Sequence, residues 1–142
     1  MRLVSIMLAD FAEDRDGLLY VQRAGWDTLN VAGPLPPDAP SNLVAVMQGH
    51  LVVRLHFHQT ETDREHAFEI RITGEDGQEI GKVDGSAFVG KTEGLPPAWE
   101  QNVNLVVPLV GLGLPNFGLY SISVLVDRQH QGDQPFRVVK AY

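Results

Sequence analysis

Apolar side chains recur at every second position in four long stretches of the chain. These stretches are Leu51/Val53/Leu55/Phe57, Phe68/Ile70/Ile72, Val103/Leu105/Val107/Leu109 and Tyr120/Ile122/Val124/Val126. Successive side chains of a strand point to opposite faces of a sheet, so this spacing gives each strand one apolar face. No stretch shows the 3.6-residue spacing of a long amphipathic helix. The pattern therefore predicts an all-β protein with two antiparallel sheets packed as a sandwich.

Turn-forming residues divide the chain into about eight or nine short strands, a spacing typical of sandwiches. Asp16-Gly17 separates a strand over 3–11 from one over 18–24. Asp76-Gly77 predicts a hairpin with a type I′ turn, and Asp84-Gly85 predicts a further turn. The segment 33–40 contains four prolines, which donate no ladder hydrogen bonds, so it predicts an irregular loop.

The end of the chain has the layout of the last hairpin of an immunoglobulin-like domain. A strand over 118–126 is followed by a turn and a second apolar stretch at 135–138. Tyr120 occupies the position of a tyrosine corner, so we expect it to be buried with its hydroxyl bonded to the backbone. One turn of helix is expected over 98–101, after Pro97. The chain is long enough for one domain, which we place at 1–142.

Charge and composition exclude several classes of function. The formal net charge is -7, and an acidic surface repels the phosphates of nucleic acids. The chain has no cysteine, which excludes thiolate zinc sites and thiol chemistry and is consistent with a reducing compartment. The apolar stretch 3–9 is too short for a signal peptide or a membrane helix. We expect a cytoplasmic protein without a cofactor, and neither nucleic acid nor membrane as partner.

A series of short motifs runs through the whole chain. They are Leu8-Ala9-Asp10, Asp16-Gly17 with Leu19, Gly25-Trp26, the proline-rich loop, Asp76-Gly77, Gly94-Leu95-Pro96-Pro97, Gly118-Leu119-Tyr120 and Val126-Asp127. In this order they resemble a family of small uncharacterised bacterial proteins, a domain of unknown function. The motifs consist of turn and core residues. The resemblance accordingly implies an all-β domain with no assigned activity and no site residue.

Four of the histidines fall in one part of the sequence: His50, His56, His58 and His66. His56 and His58 share a strand face, a spacing that suits metal chelation. Their face is opposite to the apolar one, whereas His66 lies in phase with the apolar side of its strand. If strand 51–58 pairs with strand 66–74 through the loop 59–65, His66 lies on the other face from His56. The prediction is a solvated pair of histidines and no metal site.

Other chemical motifs are incomplete. An acidic group could form a calcium site at one end of a sandwich: Asp10, Asp14, Asp16 and Asp27. An EF-hand that began at Asp14 would have Gly25 in place of its final glutamate, so that kind of calcium loop is excluded. No serine lies in a Gly-x-Ser-x-Gly elbow. We therefore predict no catalytic residues.

The first strand is apolar on both faces. We assign the bulkier set to the core: Val4, Ile6 and Leu8. Leu3, Met7 and Ala9 then face outward, where an antiparallel sheet usually shows polar residues. That face needs a cover, either the loop 33–40 or a second molecule. A first strand often lies at a sheet edge, and this one therefore predicts a homodimer.

These observations favour a non-catalytic module that binds another protein or a second copy of itself. The candidate interaction residues are Leu3, Met7, Trp99, His56 and His58. Trp99 is included because an exposed tryptophan is a common binding anchor, although we expect it to pack under its own loop. A hydrolase-type enzyme with an unrecognised site near His56, His58 and Glu69 is the second hypothesis. A carbohydrate- or calcium-binding module is the third.

Overall fold

The computed structural model describes residues 1–142 and contains eleven strands and one short 3-10 helix. The elements are β1 Arg2–Arg15, β2 Leu18–Ala24, β3 Thr28–Val31, β4 Ala45–Val46, β5 His50–Phe57, the 3-10 helix Gln59–Glu61, β6 Arg64–Gly74, β7 Glu79–Val89, β8 Gln101–Pro108, β9 Gly113–Leu114, β10 Gly118–Val126 and β11 Gln129–Lys140. The all-β prediction is confirmed. The strand number exceeds the expected eight or nine, and three of the strands have only two to four residues.

The strands form two large sheets and one small one. The first sheet has the order β2-β1-β5-β8, the second has the order β3-β11-β10-β6-β7, and β4 pairs with β9. All pairs are antiparallel except β3 with β11, which run parallel and bring Thr28 opposite Arg137. The expectation of purely antiparallel sheets is therefore wrong for the second sheet.

The inward side chains of both large sheets meet in one apolar core. Leu51 and Leu55 of β5 lie in the same buried cluster as Ile70 of β6 and Ile122 of β10. Each of these side chains is almost completely removed from solvent. Burying a side chain of this size stabilises a fold by about 1.5–3 kcal/mol. The alternation in the sequence thus assigned the core-facing side of these strands correctly.

The pairing of strand 51–58 with strand 66–74 that was considered from the sequence does not occur, because β5 and β6 lie in different sheets. The 3-10 helix between them redirects the chain across the edge of the core. His58 caps this helix: its Nδ1 accepts the Thr60 N–H at 3.2 Å, and Glu61 accepts the His58 N–H at 3.0 Å. A capped turn here replaces the hairpin that sequence proximity suggests.

The first strand is not an edge, because β1 lies between β2 and β5. A register shift separates Leu3 from Ser5 in its pairing with β5. This irregularity turns Leu3 inward, where it packs against the core, and leaves Val4 exposed. The orientations expected for Leu3 and Val4 are therefore wrong, whereas Leu8 is buried in the core as expected.

The first half of β1 pairs with β5, and its second half forms an N-terminal hairpin with β2. This hairpin covers the outer face of the first sheet. A second apolar cluster lies there, formed by Met7, Ala9, Ala12, Leu19, Val52 and Val106. The Asn104 side chain of β8 donates to Asp14 Oδ2 at 3.0 Å and to the Gly17 carbonyl at 3.1 Å. These contacts show that the tip of the hairpin reaches the far side of its own sheet. Neither the loop 33–40 nor a second molecule is needed as a cover.

The turns differ in detail from the predictions. Asp76-Gly77 does form a hairpin, but only Gly77 has a positive φ, 83°. Its N–H donates to the Gly74 carbonyl at 3.0 Å, so the turn is not type I′. Both residues of Asp127-Arg128 have positive φ, 50° and 66°, which gives the β10–β11 hairpin the type I′ turn. Asp84-Gly85 is no turn; it lies within β7, opposite residues of β6.

Tyr120 is a confirmed prediction. It is 5% exposed, and its hydroxyl donates to the Asn116 carbonyl at 2.6 Å and accepts the Asn116 N–H at 3.0 Å. Its ring stacks on Phe136 with centroids 5.1 Å apart. The hydroxyl therefore fixes the bend that precedes β10.

Candidate binding groove

Three polar side chains stand in one row across the outer face of the first sheet. The strand registers place Arg2 of β1 opposite His56 of β5, and His56 opposite Asn102 of β8. Neighbouring strands lie about 4.8 Å apart, so the three side chains are adjacent. Arg54 lies two positions before His56 on β5 and therefore projects from the same face.

Hydrogen bonds link the members of this row. Arg2 Nη2 lies 3.2 Å from His56 Nδ1, and Arg54 Nη2 donates to Asn102 Oδ1 at 3.1 Å. Arg2 also donates through Nε to Glu100 at 3.3 Å. The row holds two guanidinium groups and a single carboxylate. It is therefore a cationic site on a chain whose net charge is -7.

The loop between β7 and β8 forms the other wall of the groove and is held at several points. Gln59 Nε2 donates to the Pro96 carbonyl at 2.8 Å, and the Thr92 N–H donates to Gln101 Oε1 at 2.8 Å. The Trp99 N–H donates to the Pro96 carbonyl at 2.9 Å and closes a turn over 96–99. The helical turn expected over 98–101 is absent, since Gln101 begins β8. These bonds fix the position of Trp99 before any ligand arrives.

Trp99 is 60% exposed and does not pack under its own loop. Together with Leu95 it lines a groove of about 550 Å³ whose other lining residues include Arg2, Arg54 and His56. An indole provides a large rigid contact area at little cost in conformational entropy. Guanidinium groups bind carboxylates through paired hydrogen bonds. The groove therefore suits a ligand that carries an acidic group beside an apolar one.

The other residues singled out from the sequence lie elsewhere. His58 is exposed at the end of β5 and is occupied in capping the 3-10 helix. Met7 lies under the N-terminal hairpin, and Leu3 packs against the core. Glu69 is on the second sheet, where it pairs with Arg71 and Lys82. The structure thus brings together His56 and Trp99, and it separates both from Glu69.

The acidic residues considered for calcium are dispersed. Asp10 pairs with Arg23 at 2.8 Å, and Asp14 caps its own turn by accepting the Gly17 N–H at 3.1 Å. Asp27 accepts the Thr28 hydroxyl at 3.0 Å. No three His, Asp or Glu side chains of the fold come together in an arrangement that could hold a metal ion.

One buried contact was missed by sequence reasoning. His66 is 2% exposed; its Nδ1 lies 2.6 Å from Asp127 Oδ2, and its Nε2 lies 2.6 Å from the Glu61 carbonyl. Both ring nitrogens thus face an oxygen atom of another segment. With both nitrogens engaged, the ring has no free position for proton transfer to a substrate. His66 therefore joins three segments of the fold as a structural residue.

Asp127 has a pKa that lies below its ordinary value. Partial burial raises the pKa, but the hydrogen bonds from the His66 ring and the Ala67 N–H, together with the charges of His66 and Arg64, lower it by more. The carboxylate is thus stabilised in its ionised form. The carboxylate also joins the turn to β6, since Asp127 Oδ1 accepts the Ala67 N–H at 2.9 Å.

A serine, a histidine and an aspartate also meet on the second sheet. Asp133 Oδ1 accepts the Ser123 hydroxyl at 2.6 Å and faces His130 Nε2 at 2.8 Å. A nucleophilic triad requires the imidazole between the hydroxyl and the carboxylate, because the imidazole takes the hydroxyl proton. Here the carboxylate is in the middle. The order of the three groups does not activate Ser123.

A family model described as "Family of unknown function (DUF6941)" matches residues 4–139. The chain belongs to this family. The match extends from β1 to β11, so His56, Trp99 and Asn102 of this DUF6941 chain lie within it and Arg2 precedes it. No curated protein and no solved structure matches the chain. The DUF6941 fold has no helix with the length and apolar character needed to cross a membrane.

Proposed function

We propose that this protein is a non-catalytic interaction module that binds an acidic segment of a partner protein in the groove. The observation that carries the proposal is an exposed Trp99, held by a fixed loop, beside Arg2 and Arg54. A few well-placed aromatic and arginine residues supply most of the binding energy in protein interfaces. The preformed groove lowers the ordering cost of binding.

An acidic peptide fits this groove better than a neutral sugar. Both would stack on Trp99, but only the peptide has charge to match Arg54, whose partner Asn102 is neutral, and Arg2, which shares one carboxylate with Glu100. The charge is local, because the chain as a whole is acidic. An acidic partner is repelled by most of the surface and is attracted at this row, which favours one orientation of binding.

An immunoglobulin-like sandwich is the architecture that we infer for this module. The bond from the Tyr120 hydroxyl to Asn116 supports it, since tyrosine corners are typical of that fold. The two large sheets with a shared core are the second support. Such domains commonly bind partners through loops and sheet faces, as the groove would.

Peptide binding tests the proposal directly. Peptides of about eight residues that contain two or three Asp or Glu next to Leu or Phe should bind with dissociation constants near the micromolar range, as expected for a small surface site. Binding is measured by fluorescence anisotropy of labelled peptide. Trp99→Ala and Arg54→Gln should each weaken it about tenfold or more. Arg137→Gln, which removes an exposed arginine of the second sheet, serves as the matched control.

The charge of the ligand decides the outcome. A matched peptide with Lys in place of the acidic residues should not bind, and added salt should weaken the binding of the acidic peptide. The proposal is wrong if no acidic peptide binds below millimolar concentration, or if the Lys peptide binds equally well. Binding of a neutral oligosaccharide that depends on Trp99 alone would instead favour the carbohydrate hypothesis. Steady hydrolysis of a peptide or ester that Arg54→Gln abolishes would favour the enzyme hypothesis.

A further inference from the structure

The long strand β7 is an unpaired edge of the second sheet. It pairs with β6 along one side, from Glu79 to Val89, and no strand pairs with its other side. A free edge offers a row of N–H and C=O groups to any extended segment. Proteins often protect such edges with a proline, a covering loop or charged side chains; the charges near the middle of β7, Lys82 and Asp84, are of opposite sign. The sequence of β7 contains no proline.

A narrow apolar slit opens beside this edge, between β7 and β8. It has a volume of about 120 Å³ and is lined by core residues that include Phe68, Ile70, Leu105 and Val107. Val83 stands opposite Ile70, so it points toward the core, yet it is 40% exposed. The inward face of β7 is thus incompletely covered. An added strand would place its own inward side chains over the slit.

We propose that a second copy of this chain pairs antiparallel with β7, edge to edge, with the twofold axis at Val83. In this register Val83 faces its own copy, and the two side chains cover the slits. Lys82 then faces Asp84 of the second copy, and Asp84 faces the copy's Lys82. Directly opposed charges of opposite sign stabilise a strand pair. The interface is isologous, as in most homodimers.

Adjacent registers are less favourable because they bring like charges together. An axis at Lys82 places two lysines opposite each other, and an axis at Asp84 places two aspartates opposite each other. Like charges directly opposite destabilise a strand pair. Charge complementarity therefore selects the second copy as the occupant and Val83 as the centre. This dimer differs from the one predicted from the sequence, because β1 has no free edge.

Charge exchange tests the register. The wild type should show a mass by light scattering that rises with concentration from 15.6 kDa toward twice that value. Lys82→Glu and Asp84→Lys should each weaken dimerisation about tenfold or more, because each turns two attractive pairs into repulsive ones. The double variant should restore dimerisation to within about threefold, since it exchanges the charges without opposing like signs. Lys140→Glu and Asp38→Lys are controls with the same changes in net charge.

Each outcome decides the matter. A monomeric wild type at hundreds of micromolar, a dimer that neither single variant weakens, or a double variant no better than the single ones would overturn the proposal. If a variant does not fold, hydrogen exchange on the wild type tests the proposal instead. The protection of the β7 amides should rise with protein concentration. Arg54→Gln should leave the mass unchanged, so failure of the dimer is distinguishable from failure of the peptide-binding proposal.

Discussion

Removal of one hydroxyl group should measurably weaken the fold. Tyr120→Phe keeps the buried ring and its stacking on Phe136 but removes both hydrogen bonds to Asn116. A typical hydrogen bond contributes about 0.5–1.5 kcal/mol, so two would contribute about 1–3 kcal/mol. Asn116 is exposed, and water replaces part of the loss. We therefore expect the free energy of unfolding to fall by about 1–2 kcal/mol.

Urea titration followed by circular dichroism measures this difference. With a denaturant slope of about 2 kcal/mol per molar, the middle of the range for small domains in urea, the midpoint should fall by roughly 0.5–1 M and the slope should stay constant. The control is Tyr20→Phe, which removes a hydroxyl from a half-exposed ring on β2. If the two variants have the same midpoint, the bend before β10 does not depend on the hydroxyl and the reasoning is refuted.

Three further substitutions test other contacts. Gly49→Ala should lower the free energy of unfolding by about 1–3 kcal/mol in urea titrations, because a Cβ there would lie 2.8 Å from the Trp26 ring. Met7→Glu should lower the free energy of unfolding by a similar amount, about 1–3 kcal/mol, since Met7 packs under the N-terminal hairpin. The mass measured by light scattering should stay the same, and a loss of dimer would contradict this. Because the pKa of Asp127 is lowered, its ionised carboxylate raises the free energy of unfolding of the wild type. This contribution is complete above a pH of about 4 and is lost as the pH falls through the lowered pKa. Asp127→Asn, which tolerates the same left-handed backbone, should show less of this acid loss in urea titrations from about pH 6 to pH 2, and parallel pH profiles would contradict the assignment.

Local pattern was enough to predict the faces of the strands but not their neighbours. The alternation through Leu51, Val53 and Leu55 reports burial directly, and the structure buries all three. The pairing of β5 depends on where the chain turns after Phe57, and a capped 3-10 helix is too short to leave a periodic signal. The bulge next to Ser5 likewise has no signature in the sequence, so the orientations of Leu3 and Val4 were reversed.

Single residues of the groove could be predicted from the sequence, but their arrangement could not. His56 and Trp99 come from separate arguments: a polar strand face is visible in the sequence, whereas the exposure of Trp99 is not. Arg2 joins them through the register of β1 with β5, which no local pattern encodes. His66 did leave a usable signal: a polar residue at a core-facing position requires buried partners. Its partner Asp127 lies 61 residues away, beyond the reach of any motif.

The parallel pairing of β3 with β11 has a consequence for how the chain is made. Thr28 and Arg137, joined by a side-chain hydrogen bond of 3.0 Å, are 109 residues apart. At translation speeds of about 5–20 residues per second, β3 leaves the ribosome roughly 5–20 s before its partner exists. β10 is made shortly before β11 and, until β11 follows, is an edge strand that pairs only with β6. A nascent chain that stalls between β10 and β11 therefore exposes an unpaired β3 and the free edge of β10, and such chains are natural clients for chaperones and proteases.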